Sequence, residues 1–308
     1  MQPASITKIM TALLALEHGN LSDTNTMSYD AVHSLARGSS HIALVTDEIL
    51  TLEQALYALA LESANDAANG IAEHIGGSME NFAAMMTDRA KQAGALHTNF
   101  ANAHGLNDAN HYTTAYDMAR ITMAALEQPL FTEIFGASIY EMPPTNKQPE
   151  ARTFHCTNAM MIGKYKYDGI VAAKTGYTNP SLYTLVTVAE RDGRTLIAVV
   201  MKSPAKQDRW EDTTALLDYG FGLEAEAFTI PEEPQTEVLP VGADIAEQAD
   251  VQTDGLSDKK SILPLIFVFF GVLLMCWLVV AIRRRIIAKR RSKRYAYTLK
   301  HNRNDRSS

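Results

Sequence analysis

The sequence predicts an α+β domain, an antiparallel sheet flanked by helices with an added helical subdomain, followed by a C-terminal transmembrane helix. Three observations predict it. Apolar residues at helical spacing dominate the chain as far as Leu126. From Ile170 to Met201 the pattern changes to short runs rich in Val, Thr, Ile and Tyr, the composition of strands. Ile262 to Ile282 then gives 21 residues without a charge, long enough to span a bilayer.

Each element follows in order. Pro3 is tolerated in a first helical turn, and no Gly or Pro occurs from Ile6 to Leu16. Ile9, Leu13 and Leu16 recur at helical spacing, so a helix is expected from about Pro3 to Gly19-Asn20. Gly38-Ser39-Ser40 reads as a loop and Ile42 to Leu44 as a short extended piece. Thr51 opens a second helix, with Leu52, Ala55, Leu56 and Leu59 on its apolar face, to about Leu61. Ser63-Ala64-Asn65-Asp66 interrupts it, and Ala67 to Ile75 resumes as helix. Gly76-Gly77-Ser78 separates this from a helix over Met79 to Ala93, ended by Gly94. Residues 95–112 are loop-rich, and Thr114-Ala115-Tyr116-Asp117 starts a helix through Leu126. Strands are expected over Ile170–Thr175, Leu182–Ala189 and Thr195–Met201, the last two joined by a hairpin turn at Arg191-Asp192-Gly193-Arg194. Asp208 to Tyr219 reads as a closing amphipathic helix.

Charge is divided between two regions. The chain has 308 residues and a formal charge of -7, but residues 283–308 hold 11 Lys and Arg against one acid, Asp305. The remainder carries 17 bases against 34 acids, which is no footprint for nucleic acid. Residues 224–261 are acidic and contain proline, as a stalk would. The basic cluster from Arg283 to Arg294 follows the apolar run directly. The positive-inside rule therefore places the tail in the cytoplasm and the body outside a single-pass cell-membrane anchor. Cys156 lies in the body and Cys276 in the span, so no intrachain disulfide is expected. No Cys/His spacing suggests zinc, and no cofactor is expected. His97, His104 and His111 read as unrelated surface or packing residues.

The chemistry starts at Ser5. Lys8 stands three residues on, so its amine can approach the Ser5 hydroxyl and act as the base that a serine nucleophile needs. Ser-x-x-Lys alone arises by chance about once in a chain of this length. Two further motifs give it meaning. Ser63-Ala64-Asn65 sits at a helix break, where a hydroxyl and an amide can face a cleft. Lys174-Thr175-Gly176 ends a strand, and its glycine lets another backbone lie close.

With these motifs, and with His104-Gly105-Leu106 and Lys174-Thr175-Gly176-Tyr177-Thr178, the chain resembles the D-alanyl-D-alanine carboxypeptidases, the low-molecular-mass penicillin-binding proteins, over about Pro3 to Gly222. The resemblance implies a β-lactamase/transpeptidase-like fold over residues 1–223. It implies that Ser5 attacks the carbonyl between two terminal D-alanines of a peptidoglycan stem peptide and that Lys8 takes its proton. Ser63 would relay a proton to the leaving D-alanine, Lys174 would tune the local charge, and Asn65 would hold the peptide amide. The N–H groups of Ser5 and Tyr177 would form the oxyanion hole. Thr175 and Arg209 would bind the terminal carboxylate beside Gly176, and β-lactam antibiotics would inhibit.

Departures from the family pattern are Ser181-Leu182 where a small pair such as Ala-Gly is usual, Cys156 where Asn is common, and Ala103 where Pro precedes His-Gly-Leu. His104 itself reads as structural. Two alternatives stay open at this level: a β-lactamase on the same fold, which needs a deacylating Glu such as Glu127 or Glu133, and a non-catalytic wall-binding membrane protein. The family also places a signal peptide and the first sheet strands before the serine helix, so the complete protein is expected to start upstream of Met1. A sheet of three strands would leave one open edge and apolar surface uncovered on the Ser5 helix.

Overall fold

The computed structural model of the chain describes residues 1–163 and 165–222. The stalk, the span and the tail expected over 224–308 lie outside the described residues. Among the described residues no helix is long and apolar enough to cross a membrane.

The chain enters through a single 3-10 turn, Ala4–Thr7, rather than the α-turn expected there. Ala4 has φ +53°, an angle from which an α-helix cannot be built. The α-helix proper, α1, runs Lys8–His18. A short strand β1 (Thr24–Thr26) and helix α2 (Tyr29–His33) follow, then β2 (Ile49–Thr51), which pairs antiparallel with β1. The extended piece expected at Ile42–Leu44 is not a strand: Ala43 turns the backbone to φ +57°.

Helix α3 (Leu52–Leu61) starts at a full capping box. The Thr51 hydroxyl accepts from the Gln54 N–H, and the Gln54 side chain accepts from the Thr51 N–H. After the break at Ser63, α4 (Asn65–Gly76) and α5 (Met79–Gln92) form as the periodicity predicts. Helix α6 (Ala115–Leu126) is capped by Thr114, whose hydroxyl accepts from the Asp117 N–H. Besides β1, α2 and β2, the sequence did not mark α7 (Pro129–Gly136), the two-stranded pair β3 (Ile139–Met142) and β4 (Arg152–His155), or the four-residue turn of helix α8 (Ala159–Ile162).

The main sheet has the antiparallel order β5-β6-β7, built from Ile170–Thr178, Leu182–Arg191 and Arg194–Ser203. The β6–β7 turn places Asp192 at φ +52° and Gly193 at φ +75°, as a two-residue hairpin requires. Helix α9 (Asp208–Gly222) packs across β7 and β6.

The core is arranged around α1. From Lys8 to Ala15 every residue is buried, because α3, α4, α5, α6 and α7 all contact this helix. Such burial on all sides is expected of a helix inside a domain rather than on its surface. The apolar surface expected to lie open on the Ser5 helix is therefore covered. The uncovered surface lies elsewhere, in a groove of about 980 Å³. Met123 and Leu126 of α6, Leu196 and Val199 of β7, and Leu216 of α9 line it. Among the described residues β7 pairs on one side only, with β6.

Leu13 is fully buried in this core, whereas Leu96 is 62% exposed. Leu13→Ala should cost about 2–5 kcal/mol, read as a lowered urea midpoint, while Leu96→Ala should stay within about 0.5 kcal/mol. Equal effects would contradict the placement of α1 at the centre.

Candidate active site

The 3-10 turn decides how Ser5 and Lys8 meet. In a 3-10 helix residues i and i+3 eclipse, and the Lys8 amine lies 3.2 Å from the Ser5 hydroxyl oxygen. It also donates to Asn65 Oδ1 at 2.6 Å and to the His104 carbonyl at 2.7 Å. Those two partners can only accept. A neutral amine has two N–H groups and one lone pair, so satisfying both acceptors leaves the lone pair directed at Ser5. Lys8 is completely buried. Burial holds its pKa well below the ordinary lysine value, the nearby charge of Lys174 lowers it further, and Asp66 pulls the other way.

Strand β5 brings the second lysine. Ala172, Lys174 and Gly176 alternate onto its buried face. Lys174 is pushed down to about 8, by burial first. Arg209 adds to this shift and Cys156 opposes it. Gly176 is where the strand meets the turn that carries Ser5: a Cβ there would lie 2.8 Å from the Ser5 nitrogen and 2.4 Å from Thr184 Oγ1. Thr184 in turn donates to the Pro3 carbonyl at 2.9 Å, fixing the turn to the sheet. On the other side, a Cβ on Gly105 would lie 1.9 Å from the Ala4 carbonyl oxygen, at φ +89°. Only glycine fits between the His104 carbonyl and this turn.

A cleft of about 780 Å³ joins these groups. Ser5, Ser63, Asn65, Thr175, Gly176, Tyr177 and Arg209 all line it, and Lys8 and Lys174 are buried beside it. The nine residues selected from the sequence thus converge on one place. Ser63 has φ +55°, and its hydroxyl is buried with no hydrogen-bond partner. Arg209 is 5% exposed, donates to the Gly176 carbonyl at 3.3 Å and stacks on Trp210. Burial brings its pKa down to about 10. The departures also acquire places. Leu182 takes φ +54°, a conformation that glycine adopts without strain. Ser181 holds this turn by accepting from the Thr178 N–H at 2.9 Å. Cys156 is buried, with its thiol 3.7 Å from Met161 Sδ.

The family model described as D-alanyl-D-alanine carboxypeptidase, peptidase S11, matches residues 1–205. The chain belongs to this family. D-alanyl-D-alanine carboxypeptidase DacF of Bacillus subtilis (strain 168) is 34% identical over 225 residues, 72% of this chain and 56% of the relative. The chain thus spans little more than half of that protein's length. The D-alanyl-D-alanine carboxypeptidase of Streptomyces sp. (strain K15) is 29% identical over 231 residues, 71% of this chain and 78% of the relative. Among solved structures, the D-alanyl-D-alanine carboxypeptidase from Mycobacterium tuberculosis H37Rv superimposes with a TM-score of 0.66 at 28% identity, covering 73% of this chain and 83% of that one. The Streptomyces K15 DD-transpeptidase does so with the same score and identity, over 72% and 88%. The carboxypeptidase family therefore accounts for the sheet, the helices and the cleft between them.

Several groups in this carboxypeptidase-family cleft escaped the sequence reading. The backbone of His104 holds Lys8, and such a contact leaves no mark in residue type. Arg37, Ser39 and Ser40 form one rim, from a loop whose composition has no period. Of the three histidines expected to be surface or packing residues, His97 is exposed, His104 is half-buried and His111 is buried. His111 lies 2.8 Å from Thr7 Oγ1 and accepts from the Ala101 N–H at 3.0 Å. His104 Nδ1 accepts from the Leu106 N–H at 3.1 Å. Among the described residues no cluster of His, Cys, Asp and Glu could hold a metal ion.

Both imidazoles are held neutral. Burial, the largest cause, lowers His104 to about 3 and His111 to about 4. An unfolded chain takes up these protons below about 6.5, whereas the folded chain resists until about pH 4 and 3. The stabilisation is therefore complete above about pH 6.5 and is lost as the pH falls through this window. Urea midpoints should drop steadily from pH 7 to pH 4, and His111→Gln should reduce the slope. A slope unchanged by that substitution would contradict the assignment.

Proposed function

We propose that this chain is a penicillin-sensitive serine D-Ala-D-Ala carboxypeptidase acting on peptidoglycan stem peptides. The observation that carries the reading is the Lys8 amine, fixed between two acceptors and 3.2 Å from Ser5 Oγ.

Ser5 Oγ attacks the carbonyl carbon of the penultimate D-alanine while its proton passes to Lys8. The oxyanion faces the N–H groups of Ser5 and Tyr177. The Asn65 side chain holds the substrate amide. Thr175 and the Arg209 guanidinium receive the terminal carboxylate in a cleft whose buried charges are cationic. When the C–N bond breaks, the Ser63 hydroxyl passes a proton to the leaving amine, with Lys174 setting the local potential. Water then cleaves the acyl-enzyme ester and frees Ser5. β-Lactams acylate the same hydroxyl. Neither Glu127 nor Glu133 lines the cleft; Glu133 accepts from the Tyr57 hydroxyl instead. That favours a carboxypeptidase over a β-lactamase.

The reading extends to the rest of the chain. Residues 224–261 form a stalk, 262–282 a single membrane span and 283–308 a cytoplasmic tail, so the domain acts outside the cell membrane. The uncharged run and the basic cluster after it support this.

Fluorescent penicillin should label the chain on the peptide that contains Ser5, and Ser5→Ala should abolish labelling. Lys8→Ala should slow acylation by about 10²–10⁴-fold, the usual contribution of a general base. Labelling that survives Ser5→Ala would refute the assignment. Protease added to intact cells should remove the body and spare the tail; the reverse pattern would refute the topology.

A further inference from the structure

Arg209 is buried, yet among the described residues it forms no ion pair. Acids stand close by in the chain: Asp208 and Glu211 share the first turn of α9 with it. Neither pairs with it. One Nη donates to the Gly176 carbonyl at 3.3 Å, and the Nε–H is buried without a hydrogen-bond partner. A guanidinium carries five N–H donors along its edge. A buried edge this sparsely filled suits an acceptor brought by a ligand.

What holds the guanidinium is aromatic. Its central carbon lies 4.3 Å from the centre of the Trp210 ring and 5.2 Å from that of the Tyr183 ring. Both distances fall within the range in which a cation is drawn to an aromatic face. A guanidinium stacks through its faces and hydrogen-bonds through its edge, so these contacts use up no donor. The two rings do different work. Trp210 follows Arg209 in the chain and travels with it. Tyr183 comes from β6, so it fixes the guanidinium relative to the sheet that also carries Gly176. Tyr183 is itself placed by the sheet: it stands opposite Tyr177 in the β5–β6 register, with their ring centres 4.5 Å apart. The Tyr177 hydroxyl donates to Asn179 Oδ1 at 3.1 Å. Thr175, Tyr183 and Arg209 all line the cleft.

We propose that Tyr183 is a positioning residue: its ring holds the Arg209 guanidinium by a face and so keeps the N–H edge aimed into the cleft for the terminal carboxylate of the substrate. The proposal rests on the reading of Arg209 as a carboxylate receptor given above. An acidic side chain could also hold an arginine in place, but it would fill the donors that the substrate needs and cancel the charge. An aromatic face orients the cation and leaves both intact.

The test uses the full 308-residue chain and a peptide ending in D-Ala-D-Ala, either as the free acid or as the C-terminal amide. Tyr183→Leu should raise KM for the acid about 3- to 30-fold. Its kcat should stay within about twofold, as when binding common to ground and transition states is lost. Its kcat/KM for the amide should not change, so the preference for the acid shrinks by the same factor. Tyr183→Phe, which keeps the ring, should retain the wild-type preference. A merely structural role would lower kcat/KM for acid and amide alike, which would overturn the proposal. So would a wild-type preference in Tyr183→Leu, or a preference lost in Tyr183→Phe. Should Tyr183→Leu not fold, phenylalanines with one, two and three ring fluorines at position 183 decide instead. Each fluorine weakens the pull of the ring on a cation at nearly constant shape, so the preference should fall stepwise, and a flat series would overturn the proposal. A wild-type chain that cleaves acid and amide equally would refute Arg209 as the receptor, and the proposal with it. One that cleaves neither would refute the reading of Ser5 and Lys8 beneath both.

Discussion

A lysine amine without solvent is the constraint on which the rest of this structure depends. Taking an ammonium out of water costs several kcal/mol, and Lys8 is completely buried at the start of the central helix. The fold manages this with three polar partners, the Ser5 hydroxyl of the 3-10 turn, Asn65 of α4 and the His104 carbonyl in the loop before α6. None of these belongs to α1 itself. The buried amine therefore fixes the relative positions of three segments, and the serine hydroxyl is one of the three anchors. Removing any of them leaves a polar group unpaired in the interior, the situation in which side-chain loss is most damaging.

The same cleft gathers basic groups. Lys8, Lys174 and Arg209 are all buried, and each has its pKa pushed down, with burial the leading cause. Basic groups held out of water favour an anionic occupant. Stability and ligand preference arise from one arrangement here. The strained backbone at Ser63 belongs to the same description: residues with positive φ other than glycine persist where their surroundings over-determine them.

Much of this was legible in the sequence, for identifiable reasons. Ser5 and Lys8 are three apart, Ser63 and Asn65 interrupt a periodic helix, and Lys174 follows a run of strand formers. Each leaves a local mark. Helices α3, α5 and α6 carried both periodicity and side-chain N-caps, and α4 periodicity closed by Gly77, so their limits matched closely. What failed to show was non-local or backbone-borne. The 3-10 turn depends on the φ of Ala4, set by its fit against Gly105 and Gly176. Helix α7 is short, and β3 and β4 have too few residues to display alternation. His104 and His111 have the same spacing whether they are buried or not, so their place beside the Ser5 turn could come only from the fold. The burial of α1 on every side could not be read from one stripe of three apolar residues.

The bond from Thr184 Oγ1 to the Pro3 carbonyl closes a loop of 181 residues. Contacts of such separation form slowly, whereas the β6–β7 hairpin is local and can form within microseconds. The Ser5 turn can form this bond only once β6 exists, and Arg209 lies later still in the chain. On a ribosome, α4 and α5 emerge long before Lys174, Thr184 and Arg209. The cleft needs β5, β6 and α9 as well as the helices, so a chain interrupted before β6 would carry Ser5, Lys8 and Asn65 without the sheet that completes their surroundings.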